Sequence, residues 1–207
     1  MSLQSKSSKD LSVFSLICDK DKEGLSALLE GEANLQVKDS CGRTPLTLAA
    51  LLGQDDVITL LLNNGIDVNT RNSSGYTALH VAAAWGQLAA VKSLVSGGAD
   101  HSVKNQHNET PRDIADRYGK EECVVYLDQS EARTRLLSAI TQAKTTLTDT
   151  EKISGKWNKD DKMKVNSLCN EKTDWIEKNF EGSTLKDIEK QYENFQERIE
   201  PYYSKLT

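Results

Sequence analysis

A motif that returns at a constant interval of about 33 residues constrains the fold more than any other feature of the chain. The segments GRTPLTLAALLG, GYTALHVAAAWG and NETPRDIADRYG begin at Gly42, Gly75 and Asn108, so the two intervals are equal. A leucine-rich stretch keeps the same interval, since it ends before Gly65 and again before Gly98. This self-similarity predicts a solenoid, in which each unit buries its apolar face against its neighbours.

Each repeat carries signals for two short helices. Thr44, Thr77 and Thr110 stand where helix N-caps are needed, because a threonine hydroxyl can accept a hydrogen bond from an unpaired backbone N–H. Pro45 and Pro111 follow at the first helical position, where proline is tolerated. Small alanines allow neighbouring inner helices to pack closely. Glycines end the predicted helices at Gly53, Gly65, Gly86, Gly98 and Gly119.

These motifs resemble the ankyrin repeat, which has a period of about 33 residues and a T-P-L-H-x-A signature. The resemblance predicts about four units with hairpin fingers, at 9–33, 34–66, 67–99 and 100–130. The outer two depart from the pattern, as terminal repeats that cover the ends of the core do. We therefore expect an ankyrin domain over 9–130, after a polar segment, 1–8, that is predicted to be disordered.

Beyond residue 130 the regular interval stops and three amphipathic helices are predicted. Asn158 is a candidate N-cap for the second of them. The apolar stripes at helical spacing predict a small bundle, and we expect Trp157 and Trp175 to pack with their N–H groups at the surface. The stripe residues are Leu136, Ile140, Ala143 and Leu147; Val165, Leu168, Cys169, Lys172 and Ile176; and Leu185, Ile188, Tyr192, Phe195 and Ile199. The predicted fold is thus all-α, a solenoid followed by a bundle.

The segment 131–207 resembles the C-terminal helical lid of Hsp70 chaperones. The similarity is densest in DDKMKVNSLCNEKTDWIEKN, at 160–179, and continues into IEKQYENFQERIEPYYSKL, at 188–206. No match to the nucleotide-binding domain or the peptide-binding sandwich of Hsp70 is seen, so neither ATP hydrolysis nor peptide clamping is expected. The combination of ankyrin repeats with a lid-like segment resembles a family of vertebrate ankyrin proteins. That resemblance implies a role in dividing or ciliated cells, with a centrosomal, midbody or ciliary pool.

Charge and cysteine usage exclude several function classes. The formal net charge is −5, and residues 131–207 hold 14 basic and 14 acidic residues, so a nucleic-acid partner is not expected. The four cysteines are scattered, which argues against a zinc site or a disulfide framework and favours a cytoplasmic protein. No apolar stretch is long enough to span a membrane. We expect no metal, no cofactor and no enzymatic activity, because no catalytic constellation is visible.

The ankyrin resemblance points to the finger tips and the exposed side of the inner helices as the surface that binds a partner. Aromatic residues and arginine dominate the energetics of protein interfaces, and both types occur there. Five basic residues on this surface predict a partner with an acidic segment, extended or helical. The resemblance also implies that His80 bonds backbone near the finger. The predicted binding residues are Lys38, Arg43, Arg71, Tyr76, Trp85, Lys104, His107, Arg117 and Tyr118, with Leu51 and Leu52 beside them.

Alternatives remain open from the sequence alone. Trp85 and Tyr76 could instead pack on an adjacent finger and have no partner. The leading function is a scaffold or adaptor that holds a protein partner in the ankyrin groove. A second is a chaperone-related cofactor that binds Hsp70 or its clients through the bundle. An apolar groove exposed by the bundle would favour the cofactor, and a closed bundle with a polar coat would favour the adaptor.

Overall fold

The structure, a computed structural model, describes residues 8–31, 35 and 37–206. All regular structure in these residues is helical, which confirms the all-α prediction. The predicted disordered segment lies outside the described residues, apart from Ser8, at which the first helix begins. The helices are α1 Ser8–Cys18, α2 Lys22–Glu30, α3 Pro45–Leu52, α4 Asp55–Asn63, α5 Ala78–Trp85, α6 Leu88–Ser96, α7 Pro111–Arg117, α8 Glu121–Thr148, α9 Thr150–Ile153, α10 Lys159–Asn179 and α11 Leu185–Tyr203.

The helix starts in the repeats follow the predicted capping. Thr44 and Thr110 accept hydrogen bonds from the backbone N–H three residues on, and a proline follows each of them in the first turn. Thr77 caps α5 as part of a capping box that its partner His80 completes. The caps fix where the inner helices α3, α5 and α7 begin, and hence where the fingers end.

The helix ends depend on glycine. Gly53 and Gly86 adopt left-handed φ angles of 69° and 71° and end α3 and α5, and their N–H groups bond carbonyls of the last turn. A side chain would strain this conformation. The residue before each glycine is therefore the last helical position, and it recurs at the same place in successive repeats.

The core of the repeats is built from small residues on the inner helices and larger ones on the outer helices. Ala49, Ala82 and Ala83 are fully buried where α3 packs on α5 and α5 on α7. Ile58 and Leu94 fill the space on the outer helices α4 and α6. Four successive helix pairs, of which the start of α8 completes the last, form the predicted solenoid.

The later helices form a second core. Leu136, Ile140, Leu168 and Phe195 are buried together, as the stripes predicted. The short helix α9 was not predicted, because a single turn leaves too few residues for a periodic pattern. The cap of α10 was predicted: Asn158 accepts a bond from the Asp161 backbone.

The expectation for Trp157 was wrong. This indole is buried, and its Nε1–H donates to the backbone carbonyl of Tyr202 at 2.8 Å instead of reaching the surface. A buried N–H needs a partner, and the end of α11 supplies one. Trp175 is half-buried.

The chain divides into two compact units between Leu127 and Asp128. This division lies inside α8, so the segment around Ser130, which lacks glycine and proline, is helical. The domain limits 9–130 and 131–207, and the assignment of the later part as a lid-like domain, stay predictions. Within the described residues no helix combines the length and the apolar character that crossing a membrane requires.

Candidate functional site

The finger turns are held by one side chain that recurs once in each repeat. Oδ1 of Asp39 accepts hydrogen bonds from the backbone N–H groups of Cys41 and Arg43, at 2.8 and 2.9 Å. Oδ1 of Asn72 and of Asn105 accepts the corresponding pair in the next two fingers. These residues were not predicted from the sequence, although the Asp or Asn at one fixed place in the repeat is a usable signal. They give each finger a defined shape and so fix the positions of its outer residues.

His80 ties one finger to the next repeat. Its Nδ1 accepts from the Thr77 backbone N–H at 3.1 Å, which leaves the proton on Nε2, 3.3 Å from the carbonyl oxygen of Glu109. Burial lowers the pKa of His80, so the neutral ring is favoured. The predicted structural role of this histidine is therefore confirmed.

Two of the predicted basic residues are neutralised by carboxylates of this chain. Nε of Arg43 lies 2.7 Å from Oδ2 of Asp39, and Nη1 of Arg117 lies 2.8 Å from Oε1 of Glu109. Arg117 also lies over the ring of Tyr118, with 5.0 Å between its guanidinium carbon and the ring centroid. Because both arginines are paired within the chain, they present less unpaired positive charge to a partner than the sequence indicated.

The other three basic residues occupy one place in the repeat. Lys38, Arg71 and Lys104 follow one another at the repeat interval and are exposed, at the start of successive fingers. Arg71 donates to the backbone carbonyls of Gly75 and Lys104, contacts that direct its side chain along the fingers. We call these three residues the basic row. His107, also exposed, lies in the last finger turn.

A second row of the same period lies at the other end of the inner helices. Leu52, Trp85 and Tyr118 share one position in successive repeats, each stands directly before a left-handed glycine, and they are 42%, 62% and 56% exposed. We call them the apolar row. A single exposed large apolar side chain needs no explanation, but three at one repeat position are a recurrent feature of the repeats. Of these, the predicted site contained Trp85 and Tyr118, and noted Leu52 beside them.

The alternative interpretation, in which the aromatic residues pack on a finger and bind no partner, applies to Tyr76 but not to Trp85. Tyr76 is half-buried, and its ring centroid lies 5.6 Å from that of His80. Trp85, in contrast, leaves most of its surface to solvent. The structure thus separates a packing role for Tyr76 from an exposed position for Trp85, while the binding role of the whole set stays a prediction.

The thiols fall into two classes. Cys18 and Cys41 are exposed, whereas Cys123 and Cys169 are buried. Burial raises the pKa of both buried thiols, which disfavours the reactive thiolate. In the part of the chain that the structure describes, no group of three or more His, Cys, Asp or Glu side chains is placed to hold a metal ion.

The bundle contains a buried ammonium group. Lys172 is only 3% exposed, and its Nζ donates to Oε1 of Gln191 and Oδ1 of Asn194, at 2.7 and 2.8 Å. Glu171 lies 3.3 Å from the same Nζ and accepts two bonds from Arg198, which lower the pKa of its carboxyl. The sequence showed Lys172 as a break in an apolar stripe, and the structure shows a polar contact between α10 and α11.

Comparison with known proteins agrees with the repeat geometry. A family model described as "Ankyrin repeats (3 copies)" matches residues 13–105. The chain is 37% identical to human ankyrin repeat domain-containing protein 45 over 196 residues, which is 90% of this chain and 73% of the human protein. It is 35% identical over 89 residues to the Danio rerio protein of that name, and over 86 to that of Mus musculus. These two alignments cover 39% and 34% of the relatives.

Proposed function

The chain belongs to the family of ankyrin repeat domain-containing protein 45, and on that premise we propose that it is a non-enzymatic adaptor. Ankyrin repeats are protein-interaction modules, so a protein partner is the ligand class that this family indicates. In the proposal the partner lies on the exposed side of the inner helices, between the fingers and the apolar row. The second unit then contacts another protein or supports dimerisation.

The exposure of Trp85 is the observation that carries this proposal. A side chain of that size at the end of an inner helix exposes much apolar area that a partner could cover, and tryptophan is among the residues that most often dominate interface energetics. Tyr118 and Leu52 extend the apolar surface to the neighbouring repeats. The nine predicted binding residues have different roles in this arrangement. The exposed residues of the basic row and the apolar row would contact the partner, whereas the paired arginines would lie at the border of the contact.

We further propose that the partner carries acidic residues. The basic row supports this, because three exposed cations at one repeat position produce a positive strip on a chain of net charge −5. Such a strip would accelerate encounter with an acidic segment and fix its direction more than it would increase affinity. Arg43 and Arg117 contribute less, because each is already paired within the chain.

A chaperone-related role is the second candidate. It rests on the resemblance of residues 131–207 to the Hsp70 lid, by which the bundle would bind Hsp70 or its clients. Among the described residues of the second unit, Met163 is the large apolar side chain that is strongly exposed, while most residues of the predicted stripes are buried and Leu147, Leu185 and Tyr192 are half-buried. A closed bundle of this kind favours the adaptor.

The cellular setting is likewise a proposal. We place the chain in the cytoplasm, which the four free cysteines support, because disulfides are rare there. A role in dividing or ciliated cells, with a centrosomal, midbody or ciliary pool, rests on the resemblance alone.

Proximity labelling in dividing cells tests the adaptor proposal. The full chain, its Trp85→Ala variant and its Met163→Ala variant would be compared at equal abundance. The adaptor proposal predicts that one set of partners is depleted by Trp85→Ala and retained by Met163→Ala. If the set survives Trp85→Ala while chaperones and their clients disappear with Met163→Ala, the chaperone-related function is the better account.

A further inference from the structure

The separation of the two rows restricts the shape of the partner as well as its charge. The basic row stands before the inner helices, and the apolar row stands at their far end, where Leu52 and Trp85 are the last helical residues and Tyr118 directly follows α7. Between them lies the inner helix itself, which has eight residues in α3 and in α5. At 1.5 Å per residue this length is about 12 Å. The finger residues between the basic row and the start of each inner helix add to this length, so an occupant that touches both rows must span at least about 12 Å.

The spacing along the apolar row is set by the packing of one inner helix on the next. α3 packs on α5 and α5 on α7, with alanines at the contacts. Packed helices lie about 8 to 10 Å apart, so steps of about that size are expected between neighbouring members of the apolar row. The occupant must present an apolar group at each step.

An α-helix satisfies both conditions. Seven helical residues advance about 10.5 Å and return to nearly the same face, so apolar residues at heptad spacing would follow the row. A helix with its side chains is about 10 to 12 Å in diameter, which comes closer to the separation of the rows than the width of an extended chain does. One occupant can thus place an apolar stripe on Trp85 while its flank reaches the fingers.

Extended chains fit less well. A β-strand covers one step in about three residues, but residues three apart point to opposite faces. A polyproline II segment does repeat every three residues, in about 9 Å, and so matches the step. A single extended chain is narrower than the distance between the rows, since neighbouring extended chains pack about 4.8 Å apart.

The distribution of charge on the repeats sets the orientation of a helical occupant. The basic row is exposed along the fingers, whereas Arg117, near the apolar row, is paired with Glu109. Beyond the apolar row the next repeat positions are Gln54, Gln87 and Lys120. Gln54 and Gln87 are uncharged and donate to backbone carbonyls of the preceding repeat. Lys120 is the one cation among these three positions, so a positive charge recurs in all three repeats only on the finger side.

We propose that the partner segment is an amphipathic helix, with apolar residues at heptad spacing on the apolar row and acidic residues along the flank that faces Lys38, Arg71 and Lys104. This inference rests on the proposed adaptor function and specifies its ligand. It gives the five predicted cations unequal roles, because Arg43 and Arg117 already have carboxylate partners.

Selection from a display library of unrestricted peptides, each three heptads long, tests the proposal. Peptides that bind the full chain would be depleted on the Trp85→Ala chain, and the survivors would be sequenced. The proposal expects survivors with apolar residues at heptad spacing, an excess of Asp and Glu on one flank, and helical circular dichroism when bound.

Affinity measurements on a surviving peptide complete the test. Trp85→Ala should raise Kd at least about tenfold, and Lys104→Glu should raise it about fivefold, less so at high salt. Met163→Ala and Lys162→Glu, in the second unit, are matched controls and should leave Kd unchanged. Thermal unfolding of each variant shows that the fold is retained.

Different failures have different meanings. Survivors that depend on Trp85 but are proline-rich, extended or basic overturn the helical acidic ligand and leave the adaptor function standing. If no selected peptide depends on Trp85, the apolar row is not a binding surface, and the adaptor function proposed for it fails as well.

Discussion

Trp85 and Tyr118 occupy the same position in successive repeats, and both are more than half exposed. Each directly precedes a glycine with positive φ, at 71° for Gly86 and 64° for Gly119. The turn geometry of the repeat therefore places a large side chain at the rim of two neighbouring inner helices. The apolar row therefore consists of large side chains at one backbone position, directly before the left-handed glycine, that recurs in each repeat.

Replacement of Trp85 should leave the fold intact. Trp85 is 62% exposed, so Trp85→Ala should change the free energy of unfolding by no more than about 0.5 kcal/mol. Leu79, fully buried in the same helix, provides the contrast, because Leu79→Ala should cost about 2 to 5 kcal/mol. Urea denaturation measures both values. A loss of several kcal/mol in Trp85→Ala would show that this side chain is part of the core.

The polar contact around Lys172 should behave as a unit. Asn194→Leu removes one acceptor from a buried ammonium and should destabilise the chain by about 1 to 3 kcal/mol. Lys172→Met removes the charge itself, and we expect it to be nearly neutral or stabilising.

The double variant Lys172→Met/Asn194→Leu separates the two effects. It should recover most of the loss caused by Asn194→Leu, and chemical denaturation of the four chains measures the coupling energy. Additive losses would mean that the amide and the ammonium do not depend on each other.

His80 should make stability depend on pH in a defined window. Burial lowers the pKa of His80, so below about pH 6.5, the ordinary value, the unfolded chain binds a proton that the folded chain does not. Stability therefore rises with pH through this window and falls as the pH is lowered from 7 to 5.

Urea midpoints at several pH values measure this effect. A His80→Gln variant should have a smaller slope between pH 7 and 5 than the wild-type chain. An unchanged slope in His80→Gln would assign the pH dependence to other groups.

The four thiols should react in two classes. Cys18 and Cys41 are exposed, whereas burial raises the pKa of Cys123 and Cys169. A thiol reagent should modify two groups quickly in the native chain and all four in denaturant. Mass spectrometry identifies the sites, and rapid native modification of Cys169 would contradict its buried position.

The sequence predicts the parts of the molecule that depend on local rules. Threonine caps, helix-ending glycines and the regular repeat interval are properties of neighbouring residues, so the helix pairs could be placed without coordinates. The stripe of α10 was likewise predicted from its spacing, and all of its members, Cys169 included, are buried.

Contacts between residues far apart in the chain could not be predicted. Trp157 bonds the carbonyl of Tyr202, 45 residues away, and Lys172 reaches Asn194, 22 residues away. The long side chain of Arg117 could reach more than one carboxylate, so its pairing with Glu109 could be identified only in the folded structure. The sequence thus indicated a set of basic residues but could not divide it into paired and free charges.

Site-specific photocrosslinking tests the central claim, that the apolar row holds the partner, most directly. A benzophenone amino acid would replace Tyr118 in one chain and Met163 in another, both in dividing cells. Our account predicts a discrete crosslinked protein from position 118 that is absent from position 163 and is lost when Trp85→Ala is added. Crosslinks of equal or greater yield from position 163, with none from 118, would contradict it.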